Sequence, residues 1–247
     1  MHVIALQLDI VWEDKVANHD KVRRLLSLAR PAPGTLVVLP EMFATGFSMN
    51  LPSIGDGNGE TLKFLAAIAK TYRVNMLAGV VRGRRNEAVL LGADGREVAR
   101  YAKIHLFSFA GEMRHFVAGT TPVVVDCNEF RLAPVVCHDL RFPELFRDCV
   151  KRGANLFAII ANWPTPRLDH WLTLLKARAI ENQAYVIGVN RCGRDPNVEY
   201  PGRSQIISPR GEVLADAGET EGAVHAELDF AALEAYRQEF PTLQDMH

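Results

Sequence analysis

Cysteine is scarce in this sequence, with four residues in 247, Cys127, Cys137, Cys149 and Cys192. Their wide spacing excludes a disulfide framework and a CxxC metal or redox site. No segment reaches the ~18 consecutive apolar residues of a membrane-spanning helix, so no membrane partner is expected. Neither sign of charge is in excess, Lys+Arg numbering 28 and Asp+Glu 29. Without a basic footprint, nucleic acid is not an expected partner. The eight histidines form neither HExxH nor an i, i+4 pair with a carboxylate, so no metal site is expected. GxSxG and GxxxxGK[ST] are absent, which excludes the common serine-hydrolase and nucleotide-binding signatures. Gly55-Asp56-Gly57-Asn58-Gly59 follows a loop and not a strand, so it is expected to be a flexible turn.

What is present suits a soluble globular protein: 48% hydrophobic and 23% charged residues. A chain of this length buries about 70–75% of its unfolded surface. No linker or low-complexity stretch interrupts it, so one domain is expected over residues 1–247. Met1-His2-Val3-Ile4-Ala5-Leu6 runs straight into Asp9, Glu13 and Asp14, so neither a signal nor a transit peptide is expected. Unpaired thiols then point to the reducing cytoplasm.

Apolar runs and amphipathic stretches alternate along the chain. Val22, Leu25, Leu26 and Ala29 recur at helical spacing and predict a helix over Asn18 to Arg30, stopped by Pro31 and Gly34. Leu36 to Leu39 follows as a buried strand, then a helix carrying Leu62, Leu65 and Ile68, then a strand from Val74 to Val81. Two hairpins come next, one turning at Ala93-Asp94-Gly95 and one at Asn128-Glu129, the latter joining Val123–Asp126 to Phe130–Cys137. Helix–strand alternation resumes with Phe142 to Arg152, Asn155 to Ala161, Arg167 to Gln183 and Tyr185 to Asn190. Three short strands and a helix from Phe230 close the chain. The pattern alone predicts α/β or α+β with mixed sheets.

In such folds ligands gather beyond the carboxyl ends of strands. Standing there are Glu41, Cys137-His138-Asp139, Asn162-Trp163 and Arg191-Cys192. Cys137 is either a small buried hydrophobe or a thiol whose pKa is lowered by a nearby helix N-terminus. His138 points to the opposite face of a strand and so does not cover that thiol. Glu41, followed by apolar Met42 and Phe43, is either an ordinary loop carboxylate or a base whose pKa burial raises. Lys103 is either a surface side chain or a buried cation. As a set, Cys137, Glu41 and Lys103 make a nucleophile, a base and an oxyanion-stabilising cation.

Leu39-Pro40-Glu41-Met42-Phe43, Tyr101-Ala102-Lys103-Ile104-His105-Leu106-Phe107 and Val136-Cys137-His138-Asp139-Leu140-Arg141-Phe142-Pro143-Glu144 resemble, in chain order, the Glu, Lys and Cys motifs of the carbon-nitrogen hydrolase (nitrilase) superfamily. The likeness covers nearly the whole chain. Asn162-Trp163-Pro164 and Ala177-Arg178-Ala179-Ile180-Glu181-Asn182-Gln183 are most similar to the ω-amidase branch, which deamidates 2-oxoglutaramate. The resemblance implies a four-layer αββα sandwich of two mixed β-sheets flanked by helices, and a homodimer or larger homo-oligomer.

Carried over residue by residue, it makes Cys137 the nucleophile, Glu41 the general base and then acid, and Lys103 the stabiliser of the tetrahedral intermediate. The His138 backbone N–H would assist Lys103. His138 stands where many relatives have Tyr. Glu112, in Ala110-Gly111-Glu112, matches a second glutamate that positions lysine and substrate. A substrate carboxylate needs a cation, and Arg141, Arg167 and Arg191 are candidates, Arg167 preferred for its place after Trp163-Pro164. The implied partners are a small amide and water, with no metal or organic cofactor. Another amidase, an N-carbamoyl-amide hydrolase or a nitrilase would use the same triad. A catalytically silent binding module is the reading from another class. Cys192 is the rival thiol.

Overall fold

The computed structural model describes residues 1–246. The chain opens with β1 (His2–Gln7), α1 (Lys15–Ala29) and β2 (Leu36–Val38), then α2 (Leu51–Ile54) and α3 (Glu60–Tyr72). β3 (Asn75–Arg82), β4 (Arg85–Leu91), β5 (Glu97–Ala102) and a short α4 (Glu112–His115) lead to β6 (Val125–Cys127) and β7 (Phe130–Val136). α5 (Pro143–Lys151), β8 (Leu156–Ala161), α6 (Leu168–Glu181) and β9 (Tyr185–Asn190) come next. β10 (Cys192–Arg194), β11 (Glu199–Pro201), β12 (Gln205–Ile207), β13 (Val213–Asp216) and β14 (Gly222–Glu227) precede α7 (Phe230–Glu239).

Two six-stranded mixed sheets result, ordered β14-β1-β2-β3-β4-β5 and β13-β12-β9-β8-β7-β6. At the heart of each lies a parallel triplet, β1-β2-β3 in the first and β7-β8-β9 in the second. Antiparallel strands extend both triplets on either side.

Alternation of side chains along the strands builds the layers. Val3, Ala5, Leu36, Val38 and Leu77 join the second sheet in one buried cluster. Their neighbours Ile4, Leu6, Val37, Met76 and Ala78 pack instead with Val22, Leu25 and Leu26 of α1 and Phe64, Leu65 and Ile68 of α3. Phe146 and Cys149 of α5 and Trp171, Leu175 and Ala179 of α6 cover the second sheet. Close approach of α6 needs Gly188, where a Cβ would stand 2.5 Å from Leu175 Cδ1. The architecture is therefore the four-layer αββα sandwich. Strands of a parallel triplet are buried on both faces and read as unbroken apolar runs, so periodicity does not tell which face meets which layer.

Several boundaries differ from the sequence expectation for identifiable reasons. α1 starts at Lys15 and not Asn18, because the Asp14 side chain caps it by accepting from Ala17 N at 2.9 Å. The strand expected from Val123 begins at Val125. β1, overlooked in the pattern, is an inner strand between β14 and β2. The Gly55–Gly59 turn holds a buried Asp56 whose carboxylate accepts from Thr61 N at 2.8 Å and Leu62 N at 3.2 Å, tying down the start of α3.

Candidate active site

The chain leaves β2 through Leu39 and Pro40 and turns at Glu41, pressed so closely on β3 that a Cβ at Gly79 would lie 2.5 Å from Glu41 Cα. Lys103 follows β5, its N–H donating to Asn86 O at 2.9 Å and its carbonyl accepting from Gly119 N at 2.8 Å. Glu112 opens α4 and accepts from Phe107 N at 2.6 Å. Cys137 follows β7 at φ +48°, a left-handed conformation that costs a non-glycine residue energy and gathers at functional turns. It begins a 3-10 turn, Cys137–Arg141, so α5 starts six residues later at Pro143. Two sequence expectations fail here: the thiol is not at the α5 N-terminus, and strand alternation does not govern His138.

Glu41, Lys103 and Glu112 have fully buried side chains in mutual contact. Lys103 Nζ stands 3.0 Å from Glu41 Oε1 and 2.9 Å from Glu112 Oε2. Asn86 Nδ2 donates to Glu41 Oε1 at 2.7 Å and to Glu112 Oε1 at 3.0 Å. Glu41 Oε2 accepts from Asn162 N at 3.0 Å and Asn162 Nδ2 at 3.2 Å. The half-buried Cys137 thiol points at the Asn162 carbonyl, Sγ to O 3.9 Å. Asn162 thus stands between nucleophile and carboxylate. Asp139 fastens the lysine and cysteine segments together, its buried carboxylate accepting from Tyr101 Oη and His105 N, each at 2.8 Å.

The electrostatics correct two expectations. Burial alone would raise the Glu41 carboxyl, but the Lys103 ammonium and the bonds from Asn86 and Asn162 outweigh it and hold the group below the ordinary range. The carboxylate is ionised at neutral pH. Burial pushes the Cys137 thiol well up, and the charges of Glu41 and Glu112 add to the rise against the opposing pull of Lys103. The resting Cys137 side chain is a neutral thiol, not a thiolate. Lys103 keeps its proton: burial disfavours its charge, but Glu41 and Glu112 more than compensate. Burial, with the nearby Lys103 and Arg141 charges, pushes His138 down to about 4, so its ring is neutral at pH 7.

A cleft of about 180 Å³ opens over the thiol, lined by Lys103, Cys137, His138, Arg141, Trp163 and Arg167 among others. Trp163 Nε1 donates to Arg167 O at 2.6 Å, while the Arg141 guanidinium lies 4.6 Å from the Trp163 ring centroid. Among the described residues neither arginine has an Asp or Glu ion-pair partner. Arg191 is elsewhere, fully buried, donating to Ile10 O at 2.9 Å and lying over Tyr200. It is a structural arginine, not a lining one. Cys192 is also buried, and burial raises its thiol to about 12. Sequence reasoning overlooked Asn86 altogether and passed Asn162 by as a site residue. Asn86 stands between Arg85 and Glu87 at the polar start of β4, so nothing local marked it out from its neighbours.

A family model of carbon-nitrogen hydrolases matches residues 3–238. The chain belongs to the carbon-nitrogen hydrolase family. Among curated relatives of this hydrolase, the omega-amidase YafV of Escherichia coli is 38% identical over 250 residues, covering 99% of this chain and 96% of the relative. The 2-oxoglutaramate amidase of Bacillus subtilis is 35% identical over 251 residues, covering 99% and 96% respectively. Among solved structures, a CN-hydrolase superfamily protein from Xanthomonas campestris with an arsenic adduct in its active site superposes with a TM-score of 0.94. It is 34% identical, and the match covers 100% of this chain and 97% of that one. Like its family, this chain is a carbon–nitrogen bond hydrolase.

Proposed function

We propose that this hydrolase converts a small ω-amide of a dicarboxylic or keto acid, of the 2-oxoglutaramate or succinamate type, to the acid and ammonia through a thioester on Cys137. The observation that carries the substrate class is the pair of guanidiniums, Arg141 and Arg167, without carboxylate partners in the cleft above the thiol. Burial and the neighbouring Arg167 charge both disfavour the Arg141 cation, a tension that a substrate carboxylate relieves. Trp163 supports both arginines, holding the backbone of one and the guanidinium of the other. The names of the two amidase relatives support the same class.

As Sγ attacks the amide carbon, the thiol proton passes to Glu41 and the carbonyl electron pair moves onto oxygen. Lys103 Nζ and the His138 N–H stabilise that oxyanion; such a donor is worth ~10²–10³ in rate. The C–N bond breaks as Glu41 returns its proton to the leaving nitrogen, releasing ammonia. Water gives a proton to Glu41 and attacks the thioester, and cleavage of the C–S bond with reprotonation of sulfur regenerates the thiol. Glu112 positions Lys103 throughout. A neutral resting thiol suits this sequence, because the proton needs to leave only as the carbon–sulfur bond forms.

The test is ammonia release from 2-oxoglutaramate and succinamate, with intact-mass detection of the acylated chain. Turnover is expected for the intact enzyme and none for Cys137→Ala. Full turnover in that variant, or selective turnover of nitriles or N-carbamoyl amides, would overturn the reading. The same proposal takes residues 1–247 as one domain acting in the cytoplasm as a homodimer or larger homo-oligomer, which sedimentation and cell fractionation test.

A further inference from the structure

Asn86 touches both carboxylates of the buried cluster and the backbone of its lysine. Its one amide nitrogen lies 2.7 Å from Glu41 Oε1 and 3.0 Å from Glu112 Oε1, and its backbone carbonyl accepts from Lys103 N at 2.9 Å. The side chain is buried on β4, and its Oδ1 has no hydrogen-bond partner. An orphan buried acceptor destabilises a fold. A residue that only filled space would be apolar and would leave no orphan, so the donor is what this side chain adds.

The charge count explains the need for it. Two buried carboxylates face a single ammonium, and like charges in a dry site drive one of them to take up a proton. Lys103 compensates one negative charge. The two Nδ2–H bonds of Asn86 satisfy one oxygen of each carboxylate and favour the charged form of Glu41, without adding a third titrating group. We propose that Asn86 is a positioning residue for the reaction, bridging the Glu41 and Glu112 carboxylates through its one amide nitrogen so that Glu41 is held in place as the base. The groups facing Glu41 are Lys103 from the end of β5, Glu112 from α4, Cys137 from the end of β7, Asn162 from the end of β8 and Tyr200 from β11. Of these, Asn162 also donates to the Glu41 carboxylate without carrying charge, but to Oε2 and not to the Oε1 that Asn86 holds.

The proposal rests on Glu41 being the base, so its test includes a readout that needs no substrate. Carbon-13 labelling of glutamate side-chain carboxyls, with Glu41→Gln for assignment, follows the Glu41 titration in the wild type, Asn86→Ala and Asn86→Asp. In both variants the Glu41 midpoint is expected to rise by about one pH unit. With succinamate as probe, kcat/KM at neutral pH is expected to fall about 10²-fold, mostly in kcat, and its acid limb to move up with the Glu41 midpoint. A midpoint within 0.3 unit of wild type in a folded variant would overturn the proposal whatever the activity. So would lost activity with an unmoved acid limb, which is the mark of a purely structural residue. Should neither variant fold, the wild type decides: both Asn86 Nδ2 protons should exchange slowly and shift as Glu41 titrates, and rapid exchange of either overturns the bridge. Absence of amide hydrolysis by the wild type would sink the proposed function and leave the titration to judge Asn86.

Discussion

The two sheets share a plan and differ in what they carry. Each is built on a parallel triplet, and the segments leaving the two middle strands meet, Glu41 after β2 bonding Asn162 after β8. The first sheet and the segments leaving it supply Glu41, Lys103, Glu112 and Asn86, all buried and hydrogen-bonded to one another. Half-buried groups that line the cleft beside Lys103 come from the second: a neutral thiol, a neutral His138 and two arginines with no Asp or Glu partner among the described residues. Buried charge is tolerated only where partners are already in place, so these charged groups are assembled within the fold. Under the proposed function, the groups that meet substrate remain accessible, and the substrate carboxylate is their electrostatic partner.

Deleting the reactive atom from either half is the most drastic way to break this contrast. Glu41→Gln and Cys137→Ala should each lower ammonia release by at least ~10³-fold, and the double variant by little more. Only Cys137→Ala should abolish the fastest iodoacetamide labelling, read by intact mass, because Cys127, Cys149 and Cys192 are buried. Lys103→Met strikes the buried half where it reaches the cleft: besides losing ~10²–10³ in kcat, it leaves two buried carboxylates without their ammonium. Urea unfolding should register a loss of about 3–5 kcal/mol.

The open half should behave otherwise. Arg141→Met and Arg167→Met should raise KM for succinamate about 10-fold or more, as expected for a lost charge-assisted bond. Both should leave unfolding within about 0.5 kcal/mol of wild type. The smallest effect concerns pH. His138 titrates near 4 when folded, below its ordinary 6.5. Its neutral form therefore contributes stability that is complete above pH 6.5 and lost as pH falls toward 4. In His138→Gln that part of the acid-side decline should flatten by on the order of 1 kcal/mol, given the ring's partial exposure. No histidine inflection near 6.5 is expected from it in kcat/KM.

Much of the site was legible in one dimension because its motifs sit at strand ends, where residue type is set by chemistry rather than packing. The signs of the electrostatics were not. Apolar Met42 and Phe43 beside Glu41 suggested a raised carboxyl, yet the partners that lower it lie 62 and 45 positions away, at Lys103 and Asn86. For the Cys137 thiol the sequence left open a buried hydrophobe or a group lowered by a helix N-terminus; burial and two carboxylates raise it instead, and a 3-10 turn separates it in the chain from α5. Among three candidate arginines, chain position did not distinguish Arg191, enclosed behind the site, from Arg141 and Arg167 in the cleft.

By itself, the order of residues determined which elements form and which reactive groups end up at their termini, since both depend on local periodicity, capping and turn chemistry. Only the tertiary structure decided which charges neutralise one another, which thiol is accessible and which arginines lack a carboxylate partner. Those outcomes depend on distance and dielectric between segments, quantities that exist only once the two sheets have packed face to face.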